Sequence, residues 1–113
     1  MSKISAHVLD TALGRPAADL SIQLDVLLAS GEYQRVGSAR TNRDGRVGDL
    51  LDGQSLEART YRVVFETGPY FERQQQPLFY PRVEVSFRVA AAQEHHHIPL
   101  LLSPYGYSTY RGS

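Results

Sequence analysis

Leu20-Ser21-Ile22-Gln23-Leu24-Asp25-Val26-Leu27-Leu28 is apolar at every even position, with Ser21, Gln23 and Asp25 between. Side chains of an extended strand point alternately to opposite faces. A period of two therefore lays Leu20, Ile22, Leu24, Val26 and Leu28 on a core and turns the polar set outward. Ser30-Gly31-Glu32 closes this strand, and a weaker one follows over residues 33–41. Asn42-Arg43-Asp44-Gly45 is a turn, because Asp-Gly supplies the positive-φ positions that tight hairpins demand. Arg46 then stands at the mouth of a further short strand over 47–51.

The same alternation recurs on both sides. Residues 4–10 set Ile4, Ala6 and Val8 on one face and Ser5, His7 and Leu9 on the other, and the Gly and Pro of 11–18 mark a loop. Residues 60–66 alternate through Tyr61, Val63 and Phe65, and 82–90 through Val83, Val85, Phe87 and Val89. Between these two, 67–77 loses the β pattern and carries Pro69, good helix formers and Pro77, which predicts one short helix over about 69–75. Final strands are expected over 95–101 and 106–111, separated by Ser103-Pro104. Seven or eight short strands with one brief helix predict an all-β sandwich, and with no repeat or linker residues 1–113 read as a single domain.

Bulk properties narrow the partners. Twelve basic residues balance twelve acidic ones, so nucleic acid and anionic membranes, which call for a basic excess, are not expected partners. No cysteine is present, which excludes a disulfide framework and a thiolate nucleophile and is compatible with a reducing compartment. The opening Met-Ser-Lys-Ile-Ser-Ala-His has no apolar leader and no run reaches membrane-spanning length, so a soluble, cytoplasmic protein is expected.

Three of the four histidines fall in Glu94-His95-His96-His97-Ile98-Pro99, and the last residues are Tyr110-Arg111-Gly112-Ser113. His95 and His97 share a face and His96 takes the other. His-x-His also occurs in metal sites, but a catalytic zinc needs three well-aimed ligands and only two align here, so no metal is expected. Taken singly, His7 and His97 read as surface or hydrogen-bonded histidines, Arg46 as a solvated turn residue and 110–113 as a frayed tail. No Gly-x-Ser-x-Gly elbow supports Ser108 or Thr109 as a nucleophile, and the glycines are scattered singly rather than gathered in a phosphate loop.

Taken together, these segments resemble the transthyretin-related 5-hydroxyisourate hydrolases. The resemblance rests on His-x-His-x-Pro, Leu101-Leu102-Ser103-Pro104-Tyr105 and the terminal Tyr-Arg-Gly-Ser, and on the opening block His7 to Ala17. It extends through Ala39-Arg40-Thr41-Asn42-Arg43-Asp44-Gly45-Arg46-Val47, Thr67-Gly68-Pro69-Tyr70-Phe71 and Phe79-Tyr80-Pro81. His96 departs from it, since the family usually has an aromatic residue there. The resemblance implies a transthyretin-like Greek-key sandwich of two four-stranded sheets. It also implies hydrolysis of 5-hydroxyisourate without cofactor or metal, and assembly as a homotetramer, a dimer of dimers. By the same resemblance His7, Arg46, His97 and Ser113 are expected to be catalytic, and Tyr110, Arg111 and Gly112 to bind substrate with them. In the hormone carrier transthyretin the equivalents of His7, Arg46 and His97 are other residues and the terminal Tyr-Arg-Gly-Ser is missing, so a small-ligand carrier is the rival reading.

Overall fold

A computed structural model describes residues 2–113. The described residues form nine strands and one helix: β1 (Ile4–Asp10), β2 (Arg15–Pro16), β3 (Ser21–Leu27), β4 (Tyr33–Arg40), β5 (Arg46–Val47), β6 (Thr60–Phe65), α1 (Thr67–Arg73), β7 (Val83–Arg88), β8 (His96–Ser103) and β9 (Gly106–Thr109). They make two sheets. One runs β2-β1-β8-β9 with β5 also on β1, and the other runs β4-β3-β6-β7. The even residues of β3 do face the core: Ile22, Leu24 and Val26 are buried, and they join Ile4, Ala6, Val8, Ile98, Leu100 and Leu102 of the opposite sheet in one hydrophobic cluster.

All neighbours within the two sheets are antiparallel except one pair. β1 and β8 run parallel over their whole shared length, with Ser5 opposite His97 and His7 opposite Pro99. Ile4, Ala6, Val8, Ile98 and Leu100 turn inward, so Ser5, His7 and His97 stand together on the outer face of this sheet. With one edge of β1 taken by β8, the other is shared end to end: β5 covers Ala6 and His7, and β2 covers Leu9 and Asp10.

The strand expected over 47–51 is shorter than its composition suggests. Only Arg46 and Val47 pair with β1 as a strand, and the chain then bends, with the Leu50 N–H donating to the Ile4 carbonyl at 2.7 Å and Leu50 and Leu51, successive residues, both buried. A turn follows, and the Asp49 carboxylate forms it by accepting from the N–H groups of Leu51 and Gly53. The helix begins two residues before the expected start. Its N–H at Gly68 donates to the Pro81 carbonyl and the Thr67 hydroxyl donates to Tyr80, which ties the first turn to the segment entering β7. It ends where Gln75 takes a left-handed φ of 55°.

Candidate active site

Arg46 is placed by the turn before it. The Asn42 side-chain oxygen accepts from the N–H groups of Asp44 and Arg46 at 2.9 and 3.0 Å, and the Asn42 carbonyl accepts from Gly45. Gly45 sits at φ 75°, and its carbonyl takes the Val8 N–H at 2.8 Å. A Cβ there would run into the Val8 carbonyl, so glycine alone lets the turn lie this close to β1. The result is a guanidinium next to His7 by strand register, exposed and used by none of the ion pairs among the described residues.

The His7 ring is oriented by the same turn: its Nε2 lies 3.0 Å from the Asp44 carbonyl. A carbonyl only accepts, so Nε2 carries the proton and Nδ1 keeps the lone pair. His97 is held differently. Its Nδ1 lies 2.7 Å from the Ser5 hydroxyl, which is also 2.8 Å from Nε2 of His95, and His97 Nε2 has no hydrogen-bond partner among the described residues. The His7 and His97 rings are 6.5 Å apart. Burial lowers the pKa of both below the usual histidine value, and the positive charge of Arg46 lowers it further. For His97 the neighbouring His7 and His95 add to the effect. Two imidazoles biased toward the neutral, basic form thus flank a free cation, an arrangement suited to activating water and stabilising an oxyanion.

The terminal segment is pinned rather than frayed. Gly112 bridges back to His97, its N–H donating to the His97 carbonyl at 2.9 Å, and Arg111 pairs with Glu94 at 3.0 Å. A Cβ on Gly112 would strike the His97 ring, so the glycine permits the tail to lie on the imidazole. Ser5, Arg46, Gly48, His95, His97 and Ser113 line an open recess of about 320 Å³, and His7 adjoins it through its ring contact with His97. Tyr110 and Arg111 are not brought there. They line a second recess of about 140 Å³ with Val85, Phe87, His96 and Ile98. His96 is buried, stacks on Phe87 with ring centroids 6.4 Å apart and bonds the Glu94 carbonyl, in keeping with its position on the opposite face from His97.

Two members of the site are absent from the sequence reading in this role, Ser5 and His95. The signal for Ser5 is its position two residues before His7 on the same strand face. Its partner, 92 residues away, is set only by the parallel register of β1 and β8.

The family profile described as HIUase/Transthyretin matches residues 4–112. A 5-hydroxyisourate hydrolase of Rhizobium meliloti is 47% identical over 98% of this chain and 96% of its own. The 5-hydroxyisourate hydrolase of the mouse is 42% identical over 99% and 96%. Among solved structures, the 5-hydroxyisourate hydrolase of Klebsiella pneumoniae superposes with a TM-score of 0.87 at 33% identity over the whole of both chains. Sea bream transthyretin in complex with thyroxine superposes at 0.89 with 29% identity, over 96% and 93%.

Proposed function

The chain belongs to the HIUase/transthyretin family, and we infer that within it this is the hydrolase. It opens the six-membered ring of 5-hydroxyisourate with water, giving 2-oxo-4-hydroxy-4-carboxy-5-ureidoimidazoline on the way from urate to allantoin. One observation carries this reading above all: His7 and His97, both with lowered pKa, face each other beside an unpaired Arg46. A purely apolar ligand would leave that cation and those lone pairs without a use.

In the mechanism proposed here, His7 and His97 position a water and remove its proton as it attacks the ring carbonyl. Arg46 holds the ring oxygens and takes up the charge that develops on the carbonyl oxygen. The C–N bond breaks as an imidazolium returns a proton to the departing nitrogen. Gly112 keeps the tail against His97, and Ser113 orients substrate or water. Arg111 acts in the same chain as an anchor through Glu94, and Tyr110 is a wall of the second recess beside it. The whole chain serves as one catalytic domain.

The reading extends to a homotetramer working in the cytoplasm without metal. The free edges of β7 and β9 support self-association, and a cysteine-free chain needs no oxidising compartment. None of the helices is long and apolar enough to cross a membrane. Decay of freshly generated 5-hydroxyisourate, followed by ultraviolet absorbance, is expected to accelerate with the protein and to stay accelerated in EDTA. Loss on chelation would replace the metal-free mechanism, and no acceleration by folded protein would leave a carrier on the same fold.

A further inference from the structure

Hydrolysis of a ring amide leaves a proton over. Water and the C(=O)–N bond become a carboxylate, an N–H and one H⁺ at any pH above that of the new acid. Of the two protons of water, one goes to the departing nitrogen and the other has to leave the recess. His7 has its Nε2–H occupied by the Asp44 carbonyl, which cannot pass a proton on. His97 has a continuation behind it: Nδ1 to the Ser5 hydroxyl at 2.7 Å, and from that hydroxyl to Nε2 of exposed His95 at 2.8 Å.

We propose that Ser5 and His95, as positioning residues behind His97, form a proton relay that carries the surplus proton of hydrolysis from the recess to solvent. The proposal rests on the hydrolase reading above. A hydroxyl owns one proton, so it donates to one imidazole and accepts from the other. In the resting order His97 donates Nδ1–H to Ser5 and Ser5 donates to His95, which leaves the His97 Nε2 lone pair open to the recess. When Nε2 takes the surplus proton, the Nδ1 proton passes to Ser5 Oγ, the Ser5 proton passes to His95 Nε2, and His95 gives up its Nδ1 proton to bulk water. One proton enters, one leaves, and no charge stays behind. Exchange with water after product departs restores the starting tautomers.

The surroundings favour passage over storage. Arg46, His7 and His95 all face His97 as cations or potential cations, so an imidazolium held there is disfavoured. Glu94, the nearest acid in sequence to His95, is engaged by Arg111 at 3.0 Å. Ser5 is almost fully covered, so bulk water does not replace its hydroxyl as the link.

Steady-state hydrolysis of 5-hydroxyisourate by the full chain, at millimolar and then rising imidazole buffer, tests the relay. His95→Ala is expected to lower kcat by about tenfold in dilute buffer with KM unchanged, and added imidazole to restore it, because a small base at the surface takes over the last transfer. Ser5→Ala should lose kcat without rescue, since the break lies inside, and Ser5→Thr should retain it. A His95→Ala enzyme with a buffer-independent kcat, equal to or below that of the unaltered protein, would overturn the relay while leaving the hydrolase intact. An unaltered protein with no activity in any buffer would overturn the hydrolase reading, and the relay with it.

Discussion

In the mechanism proposed above Arg46 acts twice, as a partner for substrate oxygens and as a charge that keeps two imidazoles unprotonated. With His7 and His97 both below the ordinary histidine value of 6.5, the acid limb of kcat/KM is expected below pH 6.5, and a limb at or above that value would contradict the assignment. The sign for stability follows. The unfolded chain binds these protons at 6.5 and the folded chain only at lower pH. Stability therefore climbs with pH through the window between the two values and is fully regained above 6.5. Arg46→Glu reverses the charge at an exposed position, so the sandwich should stay folded while kcat/KM falls by about 100-fold or more. Any residual activity should show its acid limb moved upward, measured in the same pH series. The sequence contains these residues plainly, but it does not contain their distances. His7, Arg46 and His97 are legible because a long match to a family names them, whereas Ser5 is an ordinary strand serine until the register sets it between two imidazoles.

Beside the apolar core, a few buried polar links hold strands and helix in place. Asp10, at the end of β1, accepts from the N–H groups of Ala12 and Leu13, from the Tyr70 hydroxyl at 2.6 Å and from Gln76 at 3.2 Å, and so clamps α1 to the first sheet. Burial raises the Tyr70 phenol well above its usual pKa, with the hydrogen bond to Asp10 adding to it, so it stays a donor at any working pH. Tyr70→Phe keeps the ring and removes the donor, and is expected to cost about 1–2 kcal/mol in denaturant unfolding at fixed protein concentration. On the second sheet, burial alone would raise the Asp25 carboxyl, but hydrogen bonds from Arg35 and Arg62 outweigh it and hold the pKa low. Long elements such as β3 and β6 were legible from alternation because every second residue is buried. β2 and β5 were not, since two residues cannot show a period. Residues 47–51 misled for a related reason: apolar content without alternation marks burial but not extension.

At the scale of the whole molecule, β7 and β9 stand at sheet ends with unpaired backbone, and Tyr110 and Tyr107 are exposed near β9. Light scattering is expected to give a mass four times the 12.6 kDa of one chain, and a monomer with full activity would refute the need for assembly. The core and the two-sheet architecture could be read from the sequence because they follow from local pattern. The outer-face site could not, because it is made by β1 and β8, strands from opposite ends of the chain lying parallel. That pairing has a consequence for synthesis. While the polypeptide is emerging from the ribosome, His7 is made early and waits for a partner strand near the other end of the sequence. Every intermediate that has not yet added β8 leaves one edge of β1 open and, on the mechanism proposed above, is catalytically silent. On that mechanism catalysis requires that β1 and β8 have met, so its onset in a translation reaction sets the latest time at which that closure has occurred.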